Sequence, residues 1–147
     1  MKPRTGWPVS KMESSTKSAQ TFGKIKTRIQ NCEHQHESCR QWPSKIGVAP
    51  ALPERLIELQ SDVKCTRARL MRTCGLDQGC RYATLSHCWG RVPPIKLRRD
   101  TLESYQTEIP WAILSKTFRE AFEDTRELDI SHLWIDSICI IQDDDLD

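Results

Sequence analysis

An amphipathic helix between two short apolar runs constrains the fold of this chain more than any other feature. Apolar or small side chains recur at helical spacing, at Leu114, Phe118, Ala121, Thr125 and Leu128. This period predicts a helix near 115–128 with one buried face, capped by Ser115 or Thr117. Apolar runs at 82–86 and 133–135 flank it. A strand, a helix and a second strand in this order predict a right-handed parallel crossover and an α/β fold.

Polar and reactive side chains follow both predicted strands. Because the carboxyl ends of parallel strands meet at one edge of a sheet, where α/β proteins bind ligands, we expect these side chains to lie close together. Gln142 ends the apolar run that follows the second strand and could reach the same edge. The candidate pocket residues are Ser86, His87, Trp89, Gly90, Asp136, Ser137 and Gln142.

Each of these positions also has a purely structural interpretation. The first strand could simply end in a tight turn at Gly90 with Trp89 packed over it, and Asp136 could cap the following turn through its own backbone. A cysteine hydrolase is disfavoured because His87 and Cys88, as neighbours on a strand, would point to opposite faces. Cys139, between isoleucines, is expected to be an inert buried thiol. We therefore predict no catalytic residue from the sequence.

Two segments resemble the leading signatures of the fungal heterokaryon incompatibility (HET) domain. They read Y-A-T-L-S-H-C-W-G at 82–90 and L-W-I-D-S-I-C-I-I-Q-D-D at 133–144, in the order found in the family. The resemblance covers 52–147 and is strongest in these segments. It implies fungal allorecognition and regulated cell death of an innate-immune kind, in the cytoplasm. The expected partner is another protein or a second copy of the chain.

HET domains look like distant relatives of TIR domains, which implies a partial TIR-like or flavodoxin-like open parallel sheet. Some TIR domains cleave NAD with a glutamate on a helix that would follow the Gln142–Asp144 segment. Since the sequence given ends at Asp147, we expect a truncated form without that residue. Such a chain should be poorly soluble and inert towards cells and NAD. It is then not an enzyme, and NAD stays possible only as a substrate of a full-length form. No cofactor is assigned, and no Gly-x-Gly-x-x-Gly pattern indicates a dinucleotide site.

The chain before the first signature divides into three parts. Residues 1–21 are rich in Ser, Thr, Lys and Pro and are expected to be disordered. Residues 22–51 contain a predicted helix near 21–30 and a proline-rich linker at 42–53. Residues 52–147 form the expected HET portion, which opens with a β-hairpin from strands at 55–59 and 63–73 around a turn at 60–62. After prolines at 93 and 94, Asp100 is expected to cap a short helix that Pro110 ends.

A group of thiols and imidazoles lies near the end of the first predicted helix. It contains Cys32, His34, His36 and Cys39 within eight residues, and these are side chains that bind zinc. The spacing does not match a zinc finger, which needs two ligand pairs separated by a folded segment. We predict a loop or helix end without a metal, with a small zinc-dependent interaction module as the alternative.

Composition excludes several classes of protein. No run of 18 apolar residues is present, so no membrane span is predicted. The first 28 residues carry seven basic side chains against one acidic, but the basic segment is diffuse and has only Trp7 and Phe22 for stacking, so nucleic-acid binding is not predicted. The N-terminus has no signal-peptide pattern, and the seven cysteines are expected to be reduced thiols in the cytosol.

Overall fold

The computed structural model describes residues 16–40, 51–62, 65–77, 79–90 and 95–147. Three sequence-based expectations therefore lie wholly or largely outside the described residues. They are the disorder of residues 1–21, of which 1–15 are not described, the linker at 42–53, of which 42–50 are not described, and the extended proline segment at 93–94.

The N-terminal part of the described chain is one long helix with a short helix after it. Helix α1 spans Ala19–Gln35, and Ser18 caps it by accepting a hydrogen bond from the Thr21 backbone N–H at 3.1 Å. Because of this cap the helix begins two residues earlier than predicted, within the segment expected to be disordered. The backbone is extended at His36, and helix α2 then covers Glu37–Arg40.

The predicted hairpin forms, but it belongs to the same sheet as the crossover strands. Strands β1 (Arg55–Asp62) and β2 (Cys65–Arg72) pair antiparallel, while β3 (Ala83–Leu85) and β4 (His132–Ile135) pair parallel. β1 also pairs antiparallel with β4, which gives one mixed sheet in the order β2-β1-β4-β3. The predicted turn at 60–62 is wrong, because these residues continue β1 in register with β2. The connection between the two strands lies at 63–64, outside the described residues.

The crossover from β3 to β4 contains the predicted amphipathic helix. Helix α3 spans Leu102–Thr107, a 3₁₀ turn covers Trp111–Ile113, and helix α4 spans Lys116–Glu127. Ser115 caps α4 by accepting from the Phe118 N–H at 3.2 Å, as the sequence predicts. The cap expected at Asp100 is wrong. Thr101 is the residue before the helix, but its side chain makes no capping hydrogen bond, and its hydroxyl instead accepts from the Arg98 N–H at 3.0 Å in the preceding turn.

The core lies between α4 and the sheet. Phe118 and Phe122 of α4 are almost completely buried against the sheet residues Ile57, Leu133 and Ile135. Directly after β4 the chain turns into the short helix α5, Asp136–Cys139. The α/β fold class is therefore confirmed, with a mixed sheet in place of a purely parallel one. Within the described ranges, none of the helices is both long and apolar enough to cross a membrane.

Candidate functional site

The candidate site is built around Asp136, the first residue after β4. β4 lies between β1 and β3, so its side chains at Leu133 and Ile135 are buried. The carboxylate of Asp136 comes where the strand ends, and its side chain is 38% exposed. One oxygen, Oδ1, accepts the Ser137 backbone N–H at 2.7 Å, which is the local capping contact that the sequence suggests. The carboxylate thus caps the turn through one oxygen and is still partly exposed to solvent.

Two side chains from the end of the neighbouring strand approach this carboxylate. The Trp89 indole Nε1 donates a hydrogen bond to Asp136 Oδ2 at 3.1 Å. His87 Nδ1 lies 3.6 Å from Asp136 Oδ1, which is an electrostatic approach and too long for a good hydrogen bond. We call His87, Trp89 and Asp136 the Asp136 cluster. It joins the ends of the two parallel strands, as the topology predicts.

The His87 ring is held by packing and not by hydrogen bonds. Its ring meets Phe118 edge to face, with centroids 4.9 Å apart. Both ring nitrogens are buried, and within the described part of the chain neither has a hydrogen-bond partner. A buried polar atom without a partner is costly, so such atoms often mark a place where a ligand or water binds. His87 therefore has free hydrogen-bonding capacity beside the Asp136 carboxylate.

A lysine adds positive charge to the cluster. Lys96 Nζ lies 4.6 Å from the centroid of the Trp89 ring, within the range of a cation–π interaction. No sequence pattern indicates this role for Lys96, because the residue lies in a segment without any helical or strand period. The indole consequently contacts a cation through its face and a carboxylate through its N–H.

Apart from the Ser137 backbone N–H, the other predicted pocket residues make no hydrogen bond to the carboxylate within the described part of the chain. Ser86 and Gly90 are exposed, and Gly90 has a positive φ of 64°, which is the left-handed conformation that favours glycine in a turn. Ser137 is fully buried, and its carbonyl accepts the Leu97 N–H at 2.7 Å. The Gln142 amide donates to the Asp136 carbonyl at 3.2 Å. Ser137 and Gln142 therefore support the loop that carries Asp136.

The thiols near the cluster are poorly placed for nucleophilic chemistry. Cys88 is exposed, whereas its neighbour His87 packs inward, so the two side chains diverge as the strand alternation predicts. Cys139 is buried, and this burial raises the pKa of its thiol to about 12. The structure also shows a contact that sequence analysis did not predict, between Cys80 Sγ and His132 Nδ1 at 3.4 Å. His132 begins β4, so this pair lies at the opposite end of the strand from Asp136.

A buried arginine also escaped sequence analysis. Arg55 is the first residue of β1, and its side chain is only 4% exposed. Its Nε donates to the Cys139 carbonyl at 2.9 Å, and its other nitrogens pair with the carboxylates of Glu54 and Asp147. The guanidinium thereby connects the hairpin to the turn after Asp136. Glu54 is its neighbour in the sequence, but Cys139 and Asp147 are more than 80 residues away, so no local pattern could reveal these two contacts.

The cysteine and histidine segment forms a second cluster at the end of α1. Ligand atoms of Cys32, His36 and Cys39 all lie within 4.8 Å of one another. His34 is separate, because its Nδ1 lies 2.7 Å from the Gln30 carbonyl oxygen. A hydrogen bond between the two thiols raises the pKa of Cys32, and burial adds to this effect. The structure thus brings together three of the four residues that the zinc alternative requires.

Comparison with known protein families identifies one match. Residues 82–147 match the family described as heterokaryon incompatibility protein (HET). The match includes the whole Asp136 cluster, as well as Lys96, Phe118 and Gln142. It confirms the resemblance that the two signature segments indicated. No curated protein and no solved structure matches the chain.

Proposed function

We propose that this chain is a HET domain protein of fungal allorecognition and regulated cell death, because residues 82–147 match the HET family. We further propose that it signals through the Asp136 cluster. The contact between Trp89 and Asp136 is the observation that carries this proposal. It joins the two sequence segments that resemble the family signatures. Since that contact uses residue types from both segments, it gives a physical reason for the two to occur together.

The chemistry of the cluster suits recognition of a protein. The Asp136 carboxylate receives N–H groups from Trp89 and Ser137, and its exposed oxygens can accept further hydrogen bonds from a partner. The neighbouring Trp89 ring supplies apolar surface of the kind enriched in interface cores. A carboxylate at the centre would repel the phosphates of nucleic acid and of anionic lipid. The favoured partner is therefore another protein or a second copy of this chain.

Exposed thiols favour a reducing compartment for this activity. Cys74 and Cys88 are free and exposed. Disulfides form and persist in secreted proteins, whereas exposed free thiols are compatible with the cytosol. We accordingly place the proposed signalling in the cytoplasm.

The test is inducible expression of the gene's whole coding sequence in a filamentous fungus. We expect the unchanged protein to arrest growth and Asp136→Ala to abolish the arrest, because the substitution removes the acceptor at the centre of the cluster. Asp145→Ala is the matched control, since Asp145 is an exposed acidic residue in the same C-terminal segment. It changes the net charge equally and should stay toxic. Equal toxicity of Asp136→Ala and the unchanged protein, at matched protein levels, contradicts the proposal.

The same cultures distinguish signalling by assembly from NAD cleavage. Cellular NAD is measured from induction to growth arrest. If growth stops while NAD is unchanged, the protein acts through a partner or self-association. If NAD falls before growth slows, and Asp136→Ala prevents the fall, the cluster belongs to an NAD-consuming site.

A further inference from the structure

We propose that Cys32, His36 and Cys39 form a zinc site with three protein ligands at the C-terminal end of α1. This site lies outside the segment 82–147 that matches the HET family and is independent of the function proposed for it. Two thiolates and an imidazole form the soft and borderline ligand set that favours Zn²⁺.

The backbone at the end of α1 brings the three ligands to one side. Cys32 and His36 are four residues apart, so they lie on the same face of the helical turn. The His36 N–H still donates to the Cys32 carbonyl at 3.2 Å, although the backbone at His36 itself is extended. The chain then turns back, and the Cys39 N–H donates to the His36 carbonyl at 3.0 Å. These bonds fix the three Cα positions before any metal binds.

The distances require only small side-chain adjustments. In a tetrahedral zinc site with bonds of about 2.0–2.3 Å, ligand atoms lie about 3.5–3.8 Å apart. Here the two sulfur atoms are 3.1 Å apart, and all three ligand atoms lie within 4.8 Å of one another. His36 and Cys39 are exposed, so their side chains can rotate into position without disturbing the core.

A disulfide explains the structure less completely than zinc. A bond between Cys32 and Cys39 would need a sulfur separation of about 2.05 Å, well below the observed 3.1 Å. It would also leave unexplained why the His36 imidazole lies against the two thiols. His34 is only two residues away, yet its ring is directed to the Gln30 carbonyl.

Among the residues that the structure describes, no fourth Cys, His, Asp or Glu joins these three ligands. The site is partly exposed, and residues 41–50, which follow it, contain no Cys, His, Asp or Glu. Water would complete the tetrahedron. Between Cys32 and His36, Glu33 forms an ion pair of 3.0 Å with Arg81, the residue before the HET match. Zinc would thus stiffen the helix end that contacts the start of the HET segment.

The experiment is titration of the full chain, reduced and freed of metal, with Zn²⁺ against a chromophoric chelator. We expect one equivalent to bind, and Co²⁺ to give the intense visible absorption of a tetrahedral thiolate site. Cys32→Ser and Cys39→Ser should abolish stoichiometric binding, and His36→Ala should weaken it by more than about tenfold. His34→Ala and Cys74→Ser are the matched controls and should bind like the unchanged chain.

Far-UV circular dichroism of each variant shows whether α1 is intact, so a loss of binding can be separated from a loss of folding. Zinc should also raise the thermal midpoint of the unchanged chain but not that of Cys39→Ser. Absence of saturable binding to the reduced folded chain overturns the proposal. An equal loss of zinc affinity in His34→Ala and His36→Ala overturns it as well. So does a peptide map that finds a Cys32–Cys39 disulfide in the chain that was reduced and then given zinc.

Discussion

Trp89→Phe isolates the hydrogen bond at the centre of the Asp136 cluster. The substitution removes the indole N–H that donates to Asp136 and keeps an aromatic ring beside Lys96. A hydrogen bond to a charged acceptor stabilises a protein by about 1.5–3 kcal/mol. The Asp136 side chain is 38% exposed, so water competes for the carboxylate. We therefore expect a coupling energy between the two side chains of about 1 kcal/mol.

A double-mutant cycle with Asp136→Ala measures this coupling, because it subtracts the packing that phenylalanine loses and the local cap that alanine removes. Unfolding is followed in urea by far-UV circular dichroism, which does not depend on the altered tryptophan. For an m value of about 2 kcal/mol/M, a coupling of 1 kcal/mol corresponds to about 0.5 M in the midpoint. The parallel cycle of Trp89→Phe with Asp145→Ala should be additive. A coupling of zero between Trp89 and Asp136 would refute the geometry of the cluster.

Three further predictions concern charge and burial. Arg55→Ala should lower the free energy of unfolding by about 3–5 kcal/mol, measured in urea, because it leaves the Asp147 carboxylate and the buried Cys139 carbonyl without their partner. A loss of less than about 1 kcal/mol would contradict this. The Arg69 hydrogen bond lowers the pKa of the Glu58 carboxyl below its ordinary value. The pair therefore stabilises the fold above the unfolded pKa by less than about 1 kcal/mol, and this stabilisation is lost as the pH falls through the folded pKa. Glu58→Gln should flatten the dependence of the urea midpoint on pH in acid. A short pulse of maleimide should label the exposed Cys88 and leave Cys139 unlabelled until urea unfolds the chain, as mass spectrometry can measure. The reason is that burial raises the pKa of the Cys139 thiol to about 12.

Periodicity predicts those elements whose burial repeats along the chain. The helix near 115–128 forms as Lys116–Glu127 with the predicted serine cap, and both crossover strands form within a residue or two of their expected bounds. Each of these elements has one buried face, so its apolar residues return at a fixed spacing. The hairpin is predictable for the same reason, since Ala68 and Leu70 alternate with exposed arginines.

Turns and caps are predicted less well, because local polarity does not decide between them. Gln60 and Asp62 have the composition of a turn, yet antiparallel pairing with β2 extends β1 through both residues. Asp100 and Thr101 are both good capping residues, and the helix begins after Thr101, although the Thr101 hydroxyl bonds to the preceding turn and does not cap the helix. In both places hydrogen bonds formed by the folded chain outweigh the preference of the single residue.

The candidate site could be predicted only as far as topology determines it. Parallel pairing brings residues after β3 beside residues after β4, which was enough to place His87, Trp89 and Asp136 together. The contacts of Lys96 with Trp89 and of Phe118 with His87 depend on the path of the crossover. No periodic signal marks Lys96, and in the sequence Phe118 cannot be distinguished from any other core residue of its helix.

Asp136 directly follows β4, an inner strand of the sheet whose residues Leu133 and Ile135 are buried. A strand paired with β1 and β3 cannot place a carboxylate at Leu133 or Ile135 without removing its charge from water. Asp136 is the next residue of the chain, where the strand becomes α5, and its carboxylate is partly exposed. There the Ser137 N–H and the Trp89 indole hold one oxygen each. The buried strand before Asp136 and the contacts of Ser137 and Trp89 therefore fix the position of the carboxylate.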